Sequence, residues 1–145
     1  ARVAAAFAAA GIPTTVSAKA VDALWAKLII NCAYNALSAL TQLPYGRLVE
    51  GDGVAAVIAD VVQECARVAE AEGVSVSPRI LDDVMALSAA MAGQRSSTAQ
   101  DLARGRPSEI DHLNGTIVRR GAAHGIPTPV NRLLHALVKL AERRD

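Results

Sequence analysis

Aromatic residues are nearly missing: one Trp, two Tyr and one Phe make up 3% of 145 positions. Base stacking on single-stranded nucleic acid needs such rings, and a surface that tracks phosphates needs an excess of basic charge. The net charge is only +1, and the densest basic groups, Arg104–Arg106, Arg119–Arg120 and Arg143–Arg144, are scattered. No nucleic-acid partner is expected. Cysteine is scarce too. Cys32 and Cys65 stand far apart with no C-x-x-C spacing, which argues against a disulfide framework and suits a reducing, cytoplasmic setting. His112, His124 and His135 form no local ligand pattern, so no metal site is expected.

Unbroken apolar runs of membrane length are also lacking. The uncharged stretch Leu28–Tyr45 comes near, but Asn31, Asn35, Ser38, Thr41, Gln42 and Pro44 interrupt it. The alanine-rich run Ala1–Ala10 has no strongly apolar centre, and Gly11-Ile12-Pro13 follows it, so a signal peptide is not expected. No membrane partner is expected. An initiating methionine is absent, which suggests processing or excision from a longer chain.

What the chain does have is 52% hydrophobic and 20% charged residues, a balance that excludes intrinsic disorder. Alanine fills much of the apolar share and lets helices approach closely, which favours a compact helical protein. Ala10-Gly11-Ile12, Glu72-Gly73-Val74 and His124-Gly125-Ile126 each close an apolar-periodic stretch with glycine and a hydrophobe, the sequence form of a left-handed C-cap. Ser77-Pro78 and Thr128-Pro129 read as N-cap plus first-turn proline, while Ser97–Gln100 and Ser108–Asp111 resemble capping boxes. Helices are therefore expected over roughly 2–10, 19–43, 53–72, 78–92, 97–104, 109–124 and 129–143. Thr14–Ser17 is the sole strand candidate, and one strand makes no sheet. The expected fold class is all-α, a multihelical bundle.

Helix 19–43 carries the most information. At 100° per residue from Lys27, the side chains of Asn31, Asn35, Ser38 and Gln42 fall within about 80°, and apolar residues fill an arc of roughly 200°. Such a helix is buried on several sides, and its polar stripe faces a cleft. Lys27, Asn31 and Asn35 lie four residues apart and present one ammonium and two amides to the same elongated ligand. By spacing alone the stripe serves equally well as a contact to a neighbouring helix, with Lys27 reaching for water. Glu109, by position alone, is ordinary first-turn charge favoured by the helix dipole, and Ser97 as an N-cap needs no ligand. Gly115 and Gly121 inside an expected helix each cost about 1 kcal/mol against alanine, which points to close backbone packing.

Three segments carry a family resemblance. Lys27-Leu-Ile-Ile-Asn31-Cys-Ala-Tyr-Asn35-Ala-Leu-Ser-Ala-Leu resembles the K-L-x-x-N-x-x-x-N-x-L-[ST]-A-L helix of ketopantoate reductases (2-dehydropantoate 2-reductases). The segment Arg106–Gly115 is similar to their R-x-[ST]-E-I-D-x-L-N-G, and Gly121–Asn131 to the G-x-x-x-G-[IV]-x-[TV]-P-x-N that follows. Order and separation agree, over nearly the whole chain. The resemblance implies the helical C-terminal domain of a 6-phosphogluconate dehydrogenase-like reductase, spanning 18–145, with 1–17 the tail of an upstream Rossmann domain that binds NADPH. It also accounts for the orphan strand.

The resemblance further implies that Lys27 is the general acid and that Asn31, Asn35 and Ser97 contact a 2-keto acid. Glu109 falls at the substrate–cofactor junction. The whole enzyme would reduce ketopantoate to pantoate, in pantothenate biosynthesis. A homodimer is compatible with it, and the isolated fragment is expected neither to bind NADPH appreciably nor to turn over. In one departure, Tyr45 precedes Gly46 where some members carry a substrate-contacting asparagine, which leaves open which 2-keto acid is used. Two alternatives stand beside this reading: a non-catalytic helical binding or oligomerisation module, and a sister reductase for another 2-keto acid.

Overall fold

The computed structural model describes residues 2–17 and 19–143. Among the described residues eight α-helices follow one another: α1 (Arg2–Ala9), α2 (Ala20–Thr41), α3 (Tyr45–Leu48), α4 (Val54–Ala71), α5 (Ile80–Ala90), α6 (Ser97–Ala103), α7 (Asn114–Ala123) and α8 (Pro129–Ala141). A 3-10 turn (Ile110–His112) precedes α7. Among the described residues there is no strand, and the all-α expectation holds. Thr14–Ser17 is irregular, because nothing beside it supplies a ladder of backbone partners. The expected domain boundary falls at Ala18, outside the described residues.

At the centre lies α2, packed against α4, α6 and α8. Its Ile29, Cys32, Ala33 and Ala36 are fully buried, the small ones letting neighbouring helices come close. This helix is long and apolar enough to cross a membrane by length and composition, yet from Leu28 onwards its apolar arc packs into the core, while Val21 and Leu24 in its first turns are exposed. On α4, the buried Ile58, Val61, Val62, Cys65 and Val68 recur at helical spacing. Full burial of each Ile or Val contributes about 1.5–3 kcal/mol.

All three expected glycine caps form. Gly11, Gly73 and Gly125 have φ of 72°, 75° and 66°, and each next amide closes back on its helix, Ile12 to Phe7, Val74 to Ala69 and Ile126 to Gly121, at 2.8–3.0 Å. Gly105 (φ 64°) ends α6 in the same way, but a polar Arg106 follows it, which hid the pattern. Gly121 is required by close approach, since a Cβ there would sit 2.8 Å from Thr128 and 2.9 Å from the Ile126 carbonyl. A Cβ on Gly115 would sit 3.0 Å from the His135 ring.

Several expected starts are displaced. The single helix 109–124 is broken at Leu113 (φ −101°, ψ −106°) into the 3-10 turn and α7, so Ser108 does not cap α7. Instead its hydroxyl accepts from the Ile110 amide and donates to Glu142 at the C-terminal end of α8. The Ser77 hydroxyl accepts from the Arg79 amide and α5 begins at Ile80. Pro129 does open α8, but the Thr128 side chain makes no cap. The cap comes from another helix: buried Glu64 of α4 accepts from the Val130 and Asn131 amides, both at 2.9 Å. A carboxylate suits the positive end of a helix.

Candidate functional site

The polar stripe of α2 divides at its middle. Lys27 is exposed and Asn31 half-buried, and their side chains make no hydrogen bond or ion pair with the described residues. One turn further, Asn35 is buried and donates to Thr98 of α6. Ser38, fully buried, donates to the Leu43 carbonyl at 2.9 Å and accepts from the Ser96 amide at 3.2 Å. Gln42 donates to the Ala39 and Ala99 carbonyls at 2.8 and 3.2 Å, a bridge that helps hold its own backbone at φ 58°. So the lower half of the stripe is the seam between α2 and α6, and the upper half is open.

The α6 start is corrected by one residue. Ser96, not Ser97, is the N-cap, with its hydroxyl accepting from the Ala99 amide at 3.0 Å and donating to the Asn35 carbonyl at 3.2 Å. Gln100 made Ser97 look like the better capping box, but its amide turns to the Arg95 carbonyl instead. The shift leaves Ser97 exposed in the first turn, with a hydroxyl that no cap occupies. Its neighbours Ser96 and Thr98 are both buried against α2, so Ser97 sits at the rim of the seam.

Glu109 is exposed, just ahead of the 3-10 turn and outside any α-helix, so the first-turn dipole explanation for it falls away. Its carboxylate makes no hydrogen bond or ion pair with the described residues, whereas its carbonyl accepts from the His112 amide at 2.8 Å. Tyr45 turns into the core, its ring centroid 4.9 Å from that of Tyr34 and the two planes tilted by 39°. Burial pushes both phenols up. Gly46 is needed there because a Cβ would meet Ala92 at 2.9 Å.

A groove of about 610 Å³ lies at the other end of α2, among Leu40, Leu102, Leu137, Leu140 and Arg106. Lys27, Asn31, Ser97 and Glu109 do not line it. The cleft expected along the upper stripe therefore has one wall among the described residues and lies open opposite it.

Behind the stripe runs a buried polar network that spacing did not reveal. Asn114 donates to the Cys32 carbonyl and to Asn131, and Asn131 donates to Glu64 at 2.7 Å. It ties α2, α4, α7 and α8 together around two thiols, Cys32 and Cys65. Burial, then the neighbouring Cys65, pushes the Cys32 thiol well up. Glu64 was the available clue, a carboxylate on the core side of α4 between Val61 and Val68.

Residues 19–142 match the family described as ketopantoate reductase PanE/ApbA, C-terminal. The chain belongs to the ketopantoate reductase family. A 2-dehydropantoate 2-reductase of Halobacterium salinarum is 43% identical over 99% of the chain and 47% of that protein. One of Caulobacter vibrioides is 45% identical over 81% and 40%. The crystal structure of a PanE/ApbA family ketopantoate reductase from Ralstonia eutropha superposes with a TM-score of 0.90 at 62% identity, over 97% of this chain and 47% of that one. D-mandelate dehydrogenase in complex with NADH gives 0.87 at 25% identity, over 97% and 48%. The chain spans about half the length of the curated relatives it matches. Within the ketopantoate reductase pattern, the asparagines of the two later motifs, Asn114 and Asn131, are buried and structural, while Lys27, Asn31 and Glu109 present uncommitted polar groups.

Proposed function

We propose that this chain is the substrate-handling half of an NADPH-dependent 2-dehydropantoate 2-reductase, acting in pantothenate biosynthesis and completed by a Rossmann half to which residues 1–17 belong. The observation that carries this is the open upper stripe: the Lys27 ammonium and Asn31 amide on α2 and the Ser97 hydroxyl at the start of α6 make no hydrogen bond or ion pair among the described residues, beside a stretch of α2 that is buried from Cys32 to Ala36.

Whether these residues suit a nicotinamide cofactor can be read from their donor set. The uncommitted carboxylate of Glu109 fits a hydroxyl-bearing end of the molecule. The helix starts of α6 and α8 are already satisfied by Ser96 and Glu64, and the sequence holds no G-x-G-x-x-G, so its phosphates need the other half. When bound, the nicotinamide supplies a hydride to the ketone carbon. Lys27 holds a proton at Nζ, stabilises the negative charge growing on the ketone oxygen and then passes the proton to it, giving a 2-hydroxy acid. Asn31 and Ser97 hold the substrate's carbonyl, hydroxyl and carboxylate oxygens, Asn35 forms the floor of that face, and Glu109 stands at the junction with the cofactor.

The test is Lys27→Ala in the enzyme that joins this chain to its nucleotide-binding half. Turnover at saturating 2-dehydropantoate falls by roughly 10²–10⁴-fold; a rate near wild type removes the general-acid role. A second reading, a reductase for another 2-keto acid, is favoured by the likeness to D-mandelate dehydrogenase solved with NADH and anilino(oxo)acetate (TM-score 0.86, 25% identity) and by Tyr45 being committed to the core. Comparing kcat/KM across a panel of 2-keto acids decides between them.

A further inference from the structure

Glu109 stands on the irregular stretch between α6 and the 3-10 turn, yet its immediate surroundings are fastened on both sides. One residue before it, Ser108 gives both its amide and its hydroxyl to Glu142, at 2.9 and 2.7 Å. Two residues after it, the Asp111 carboxylate takes His135 on one oxygen at 2.7 Å and Lys139 on the other at 2.9 Å. Lys139 closes the circuit with Glu142 at 2.7 Å. His135, Lys139 and Glu142 lie on successive turns of α8 and its end. From α7, Arg119 donates to the Asp111 carbonyl at 2.9 Å. Ile110, between the two ties, is fully buried.

Surface ion pairs usually contribute little to stability, and a chain of them around one short turn is not needed to hold a core already anchored by Ile110. What the ties do fix is the direction in which residue 109 leaves the backbone. Glu109 itself makes none of these contacts, so its carboxylate is left free and its base is held. We propose that Asp111, His135, Lys139 and Glu142, with Ser108, form a clamp that positions Glu109 for its role at the substrate–cofactor junction. This inference rests on the reading of Glu109 given above. The clamp residues are positioning residues and touch neither substrate nor cofactor.

A double-mutant cycle in the enzyme that joins this chain to its nucleotide-binding half tests it. Asp111→Asn lowers kcat/KM for the 2-keto acid by about 10–100-fold, the scale of a small misplacement of a working group, with the same division between kcat and KM as Glu109→Gln. On the Glu109→Gln background the same change costs less than about twofold. Amide exchange at Ile110 and His112 is faster in Asp111→Asn than in the wild type, while the helices keep their protection. Equal kinetic losses on both backgrounds, or no loss on either, overturn the clamp while leaving Glu109 in place. Wild-type kinetics for Glu109→Gln alone overturn the assignment of Glu109, and the clamp with it. Should Asp111→Asn not fold, Ser108→Ala, which removes the hydroxyl's tie to Glu142 together with its bond from the Ile110 amide, runs through the same cycle with the same outcomes.

Discussion

In the upper part of the α2 stripe, Lys27 and Asn31 carry their polar groups without a hydrogen-bond or ion-pair partner among the described residues. In the lower part, Asn35, Ser38 and Gln42 lie on the same stripe and are joined to α6. Residue types and spacing are alike along the stripe, yet one end is a surface and the other a seam. The difference comes from where α6 lands. Ser96, Thr98 and Ala99 meet α2 from Asn35 onwards, and Ser97 faces outwards at the point where the seam opens. A helix face is thus not functional or structural as a unit; the neighbour's length divides it.

The largest expected contrast is between Lys27 and everything below it. Lys27→Ala removes no described contact, so stability moves by less than about 0.5 kcal/mol while turnover of the whole enzyme drops as stated above. A fall in denaturation midpoint as large as the fall in rate would merge the two halves. Next comes Ser38→Ala, which strands the buried Ser96 amide and removes the donor to Leu43. It is expected to cost about 1–3 kcal/mol in urea unfolding, and a cost near zero would mean the seam is wet. Asn35→Ala and Asn31→Ala then form a matched pair. The first costs about 1 kcal/mol; the second leaves stability within about 0.5 kcal/mol and raises KM for the 2-keto acid. Reversed results would move the boundary between seam and surface up by one turn.

The smallest effect is a pH dependence confined to the Glu109 turn. Hydrogen bonds from His135 and then Lys139 hold the Asp111 carboxyl below its ordinary range. Burial pushes Glu142 up, but Lys139 and Ser108 together outweigh it, and its carboxyl too ends lowered. Lys139 is raised by Glu142 and Asp111. Depressed carboxyls stabilise above their unfolded pKa, near about 4, and lose that contribution as pH falls through the folded values. The raised Lys139 contributes fully below about pH 10 and loses its share as pH rises through its folded value. Protection of the amides of residues 108–112, taken relative to their intrinsic exchange rates, is therefore greatest between those limits and falls on the acid side before global unfolding. Protection that stays flat down to the unfolding transition would show that the ties do not hold the turn.

Much of this molecule was determined locally. Glycine with a hydrophobe after it ends a helix because only the left-handed conformation satisfies the last carbonyls, and Gly11, Gly73 and Gly125 could be placed without knowing any neighbour. The 200° apolar arc of α2 likewise required burial on several sides, and the Lys27-to-Asn35 spacing required one shared face. Tertiary structure decided the rest, because each remaining question concerned a partner distant in sequence. Ser96 rather than Ser97 caps α6 because Ser96 also reaches the Asn35 carbonyl. The helix expected from 109 breaks at Leu113, with Ser108 and Asp111 on one side of the break tied to α8 and Asn114 on the other tied to α2 and Asn131. Thr128 leaves its helix start to a carboxylate 64 residues earlier, at Glu64. Helical period is a property of the backbone and travels with the sequence; whether a polar side chain on that period is free or engaged depends on which helix comes to lie over it.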